Sequence, residues 1–200
     1  MNEPYRLPPM PKQKGIRAAI IKGMYKFHAT KSQKKKAKAH LLGSGTILNE
    51  ALKAQAMLKK NYGVAADVWS VTSYKELYQD AVECERWNLL NPKKRSKITY
   101  VRSLLAKEKG VFVAVSDYMK VLLSSVALWL PAPLHCLGID DFGRRDSREK
   151  LRDFFEVDAR YIALAALKQL EDTDAIAEGT VAKAILDLEI NFDKLNPHID

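Results

Sequence analysis

The densest group of reactive side chains is Asp140-Asp141-Phe142-Gly143-Arg144-Arg145-Asp146-Ser147-Arg148. It follows an apolar run at Leu134 to Ile139 that reads as a strand, so it lies past a strand's C-terminal end. α/β proteins keep their binding sites on that edge. Mixed charges there suit a small ligand or a salt-bridged loop that docks against another domain. No nucleophile with a neighbouring base accompanies them, which favours docking. Gly43-Ser44-Gly45 stands between a strand and a helix, where backbone N–H groups could hold an anion. The third glycine of a dinucleotide fingerprint is replaced by Leu48, and no Gly-Lys-Ser/Thr follows, so a tight structural turn is the preferred reading. His135 and Cys136 are adjacent on the predicted strand and face opposite layers, which prevents a Cys–His pair. Cys84 has no evident base, and His28, His40, His135 and His198 lack metal-ligand spacing. No residue is therefore assigned to catalysis, cofactor or metal.

The elements that must position these residues follow from periodicity. Gly23 to Thr30 alternates with period two, with Met24 and Lys26 opposite Tyr25, Phe27 and Ala29, and predicts a half-buried edge strand. Lys31 to Lys36 predicts a basic turn, and Ala37 to Leu42 a second strand. A short connection of this kind implies one antiparallel strand in the sheet. From Thr46 the period becomes helical, with Ile47, Ala51, Ala54 and Leu58 on one face and Gly63 as a left-handed cap. Asp67 to Val71 predicts a strand and Tyr74 to Trp87 a helix. A helix over 98–107 would bury Ile98, Val101 and Leu105 on one side. Val111 to Val115 is apolar on both faces, as a central parallel strand must be. A helix over Met119 to Leu130, a buried strand over Leu134 to Ile139 and three further helices complete the pattern. Those helices span 147–155 (capped by Asp146, with Glu149 as capping-box partner), Asp158 to about Leu170, and 180–188. Strands alternating with helices mean βαβ units and a mainly parallel sheet between helical layers.

Composition narrows the function class. No apolar stretch reaches the ~18 residues of a membrane span, and the N-terminus has no apolar signal region. Two distant cysteines point to a cytoplasmic setting. The net charge of +9 is concentrated early: residues 1–60 carry 14 Lys or Arg against 2 acidic residues. That bias is read as a solvated loop, with nucleic-acid binding disfavoured. Residues 1–22, with Pro4, Pro8, Pro9 and Pro11, read as an extended arm leading into a domain over 23–200.

Five collinear segments carry a resemblance: Leu41 to Leu48, Asp67 to Ser73, Cys84 to Asn88, Ser116 to Lys120, and Gly138 through Asp158. In order and spacing they resemble the C-terminal part of the homodimeric, bacterial-type pyruvate dehydrogenase decarboxylating component. Asp141-Phe142-Gly143 also resembles the wider transketolase family. The resemblance implies a three-layer α/β/α domain, like the transketolase C-terminal domain, with a five-stranded mixed sheet, the first strand antiparallel and the rest parallel. For the complete enzyme it implies thiamine diphosphate and magnesium, oxidative decarboxylation of pyruvate, and acetyl transfer to lipoyl groups of the dihydrolipoyl acyltransferase. No catalytic residue of the family maps onto this chain, so the chain alone is expected to be inactive. It would pack against upstream catalytic domains and a homodimer partner. Those contacts are placed on Glu85, Arg86 and Trp87, on Asp117 and Tyr118, and on Asp141, Phe142, Gly143, Arg144, Asp146 and Ser147. Met1-Asn2-Glu3 with Tyr5 and Pro8 to Pro11 resembles an internal segment of that long polypeptide. The Lys31 to Lys38 stretch is more basic than the family pattern. The other readings are a stand-alone anion, nucleotide or nucleic-acid module using Gly43-Ser44-Gly45 and the basic third, and a short product that only associates with dehydrogenase subunits.

Overall fold

The computed structural model describes residues 7–30, 37–141 and 143–197. The expected basic turn at 31–36, the beginning of the arm, Phe142 and His198 lie outside the described residues. Among the described residues five strands form one sheet: β1 (Met24–Ala29), β2 (Lys38–Ser44), β3 (Ala65–Val71), β4 (Val111–Val115) and β5 (Leu134–Leu137). Their order is β1-β3-β2-β4-β5. β1 runs antiparallel to β3, and the other neighbours are parallel. The antiparallel strand expected from the short β1–β2 connection is present. Its hydrogen-bonding partner is β3, so the chain skips one position to enter the sheet centre at β2.

Strand alternation sorts the core into two layers. Ala39, Leu41, Ala66, Val68, Val111, Val113 and Val115 face one side, where α2 (Leu48–Tyr62), α7 (Ala159–Asp172) and α8 (Thr180–Asp187) cover them. Leu42, Trp69, Val71, Phe112 and Ala114 face the other, under α3 (Tyr74–Leu90), α4 (Tyr100–Leu105) and α5 (Lys120–Ser124). Burial on both faces is why β3 and β4 read as continuous apolar runs. The residues expected to share a face of α2, Ile47, Ala51, Ala54 and Leu58, are all fully buried.

Several expectations are corrected. The arm contains a short helix, α1 (Ile16–Ile21), with Ile16 buried. β2 continues through Gly43 and Ser44. α4 starts only after Thr99, whose hydroxyl caps the Arg102 N–H, so Ile98 stays outside it and is 64% exposed. The helix expected over 119–130 stops at Ser124. Ser124 and Ser125 hydroxyls donate back to the Val121 and Leu122 carbonyls, and a single tight turn at Ala127–Trp129 follows. β5 is an edge strand and only half-buried, since among the described residues no strand pairs beyond it. The cap of α6 (Arg148–Phe154) is Ser147, whose hydroxyl accepts from the Lys150 N–H; Asp146 instead accepts from the Ser147 N–H. Asp158 caps α7 as expected, accepting from the Arg160 and Tyr161 N–H groups.

Candidate functional site

The strand order fixes where a crevice must open. From β2 the chain passes through α2 on one face; from β4 it passes through α5 on the other. β2 and β4 are neighbours, so their departing segments diverge at the C-terminal edge of the sheet. A cleft of about 560 Å³ lies there, between Thr46 after β2, Asp117-Tyr118-Met119 after β4, and Ile139, Asp141, Gly143, Arg144, Asp146 and Arg148 after β5.

Its polar groups are tied to one another. Thr46 Oγ1 donates to Asp117 Oδ2 at 3.1 Å and accepts from Arg152 Nη2 at 3.2 Å. Arg152 Nη1 donates to Glu50 Oε1 at 2.9 Å, and the other Glu50 oxygen accepts the Ala159 N–H at 3.2 Å. Glu50 is buried, so this carboxylate joins α2, α6 and α7 behind the cleft. Asp140 Oδ1 accepts the Lys120 N–H at 2.7 Å, which fixes the start of the loop against α5. Arg144 lies over the Phe154 ring at 4.2 Å and pairs with Asp141 at 3.9 Å. Asp117, Asp141 and Asp146 face Arg144, Arg148 and Arg152, so the lining carries balanced charge. Tyr118 and Met119 project from this rim, 65% and 57% exposed. A held, charge-balanced rim with an exposed aromatic and an exposed thioether suits contact with another protein surface.

Of the eleven residues expected at an interface, Asp117, Tyr118, Asp141, Gly143, Arg144 and Asp146 come together around this cleft. Ser147 lies in the adjoining concavity with Arg152, Asn49 and Asp158. Glu85, Arg86 and Trp87 sit apart on α3. Glu85 accepts the Trp129 indole N–H at 2.7 Å, and the Trp87 ring is faced by Lys97 and Lys94 at 4.6 and 5.8 Å. Two of these three therefore already serve contacts within the domain.

The other sequence candidates resolve into packing. A Cβ at Gly43 would stand 2.9 Å from the Leu48 Cα, so the glycine lets α2 close onto the sheet. Burial raises the Cys84 thiol pKa and pushes that of Cys136 up to about 11, which keeps both as thiols. Burial also lowers the pKa of His135.

The opposite edge of the sheet holds a cluster that no motif announced. Lys26 of β1 and Lys38 of β2 each lie 2.9 Å from Asp67 Oδ2 of β3. The same ammonium groups reach Glu108, before β4, at 2.6 and 3.2 Å. Burial alone would raise the Asp67 and Glu108 pKa values; the two ammonium groups outweigh it and lower both. Burial also opposes the charge on Lys26, but its bonds to Glu108 and Asp67 raise its pKa. His40, Asp67 and Glu108 are spaced as three metal ligands would be, within 4.8 Å of one another. The two ammonium groups already supply the positive charge at that place. The only clue in the sequence was charge or a histidine at strand positions 26, 40 and 67.

Comparison with known proteins places this geometry. Residues 23–158 match the model of the transketolase-like TK C-terminal domain. A pyruvate dehydrogenase E1 component from Pseudomonas aeruginosa is 46% identical over 98% of this chain, and one from Escherichia coli K12 is 42% identical over all of it. The chain spans 22% of the length of each. A transketolase from Pichia stipitis shares the fold with a TM-score of 0.55 and 19% identity, over 84% of this chain and 20% of that one. Among the described residues no helix is long and apolar enough to cross a membrane. With its five-stranded mixed sheet and this match over most of its length, the chain belongs to the transketolase-like C-terminal domain family.

Proposed function

We propose that this chain acts as the C-terminal, non-catalytic domain of a thiamine diphosphate-dependent pyruvate dehydrogenase (acetyl-transferring) component. In that enzyme pyruvate is oxidatively decarboxylated and the acetyl group passes to lipoyl groups of a dihydrolipoyl acyltransferase. Thiamine diphosphate and magnesium supply the decarboxylation chemistry and are held by upstream domains; no residue of this chain is assigned to them. Residues 23–200 form the domain and 1–22 lead into it. Its work is packing against those upstream domains and the homodimer partner, in the cytoplasm. The observation that carries this reading is the end-to-end match to E1 components of which the chain spans 22%. The cleft rim at Asp117, Tyr118, Asp141, Gly143, Arg144 and Asp146 is the contact surface. The α3 residues Glu85, Arg86 and Trp87 form a second, smaller contact.

The test is complementation. An E1 component truncated before this domain is mixed with the 200-residue chain, and pyruvate decarboxylation is followed. Activity is expected only from the mixture. Tyr118→Ala should weaken assembly by about tenfold, the order of a central interface side chain. Turnover of pyruvate by the chain alone, or an unassisted truncated enzyme of full activity, would overturn the proposal.

A further inference from the structure

His40 sits on the central strand, fully buried, with both ring nitrogens engaged. Trp69 Nε1 lies 3.3 Å from Nδ1, and an indole N–H only donates. Nδ1 must therefore carry no proton. Nε2 lies 3.2 Å from the Lys109 carbonyl oxygen, which only accepts, so Nε2 carries the proton. The two partners together fix one neutral tautomer. The ring is further stacked on Phe112 of β4, with centroids 4.7 Å apart.

The groups facing this ring are Lys26 from β1, Lys38 from β2, Asp67 from β3, and Glu108 from the loop before β4. Glu108 Oε2 is 3.8 Å from Nε2, close enough to attract an imidazolium. Both carboxylates, however, already share two ammonium groups. The cluster of two ammonium groups and two carboxylates is neutral while His40 is neutral, and a third cation would leave it with a net positive charge. A proton on Nδ1 would also point at the Trp69 N–H.

We propose that His40 is an acid-sensitive latch, in which proton uptake breaks the Trp69 bond and loosens the edge of the sheet where β1, β2 and β3 meet Glu108. Burial, with Lys38 adding to it, holds His40 below the usual value near 6.5. The sign follows. Above the unfolded value the neutral ring contributes in full, and the contribution falls as pH drops from there through the lowered folded value. The loss begins near pH 6.5, above the usual carboxylate values of 3.8 and 4.5 at which the loss from Asp67 and Glu108 begins, so the two onsets are separable. The latch does not depend on the enzyme assignment made above.

The decisive variant is His40→Gln, whose amide can accept from Trp69 and donate to the Lys109 carbonyl but cannot titrate. Tm is measured at pH 7.5 and 5.0 on the 200-residue chain and the variant. The parent is expected to lose Tm on acidification, and the variant to show less than half that loss. In ¹⁵N-labelled protein at pH 7.5, His40 is expected as the Nε2–H tautomer, and the Trp69 indole N–H signal should shift on acidification in step with the His40 ring. Should His40→Gln fail to fold, the labelled parent alone decides. An Nδ1–H tautomer, an unmoved Trp69 signal, or equal Tm losses in parent and variant would sink the latch.

Discussion

Single side chains here act through what they hold. Glu50 is the clearest case, because one buried carboxylate accepts from Lys53, Arg152 and the Ala159 N–H. Its removal strands a largely buried guanidinium and an orphaned helix-start donor. Breaking a buried pair from one side costs about 3 kcal/mol or more. Glu50→Ala is therefore expected to destabilise the fold by about 3 kcal/mol in urea unfolding, whereas Lys53→Ala, at the exposed end of the same network, should cost under about 1 kcal/mol. Equal effects would mean that the network behind the cleft is not a unit. None of this is legible in the sequence, since Glu50 reads as an ordinary helix carboxylate until Arg152 arrives from 102 residues away.

Elements stop and meet where their backbones demand it. Gly63 ends α2 at φ 64 with open space around its missing Cβ, so Gly63→Ala meets only the conformational penalty, about 1 kcal/mol. Gly110 is different. At φ 123, an added Cβ would collide with the Lys38 carbonyl oxygen, which neither β2 nor the start of β4 can yield. Gly110→Ala is expected to cost more than twice what Gly63→Ala costs, by comparison of urea midpoints. A similar cost at both sites would show that β2 and β4 are not locked at this end. Gly63 was readable as a cap from its place after a helical pattern. Gly110 was not, because its crowding comes from a strand distant in sequence.

Across the whole molecule, the Lys26–Asp67–Lys38–Glu108 cluster ties β1, β2, β3 and the approach to β4. Both carboxylates have pKa values lowered from the usual 3.8 and 4.5. Their contribution is present above those unfolded values and is lost as pH falls through the lowered folded ones. Urea midpoints should therefore fall below about pH 4.5 and flatten further down. Glu108→Gln should lower stability at pH 7 and make that acid limb shallower. An unchanged limb would remove the cluster as its source.

The sequence by itself determined the α/β layering, the antiparallel edge strand, the buried face of α2 and the caps at Gly63 and Asp158. Each is written in spacing a few residues long, which the period of a helix or strand makes visible. It also carried the family resemblance, through five segments whose order needs no structure to read. Only the tertiary structure decided that Thr46, Asp117, Asp141 and Arg144 share one cleft while Glu85 to Trp87 stand elsewhere. It alone brought His40, Trp69, Lys26, Lys38, Asp67 and Glu108 together. Such groupings arise where strands lie side by side in an order that differs from their order along the chain, and no local period records that.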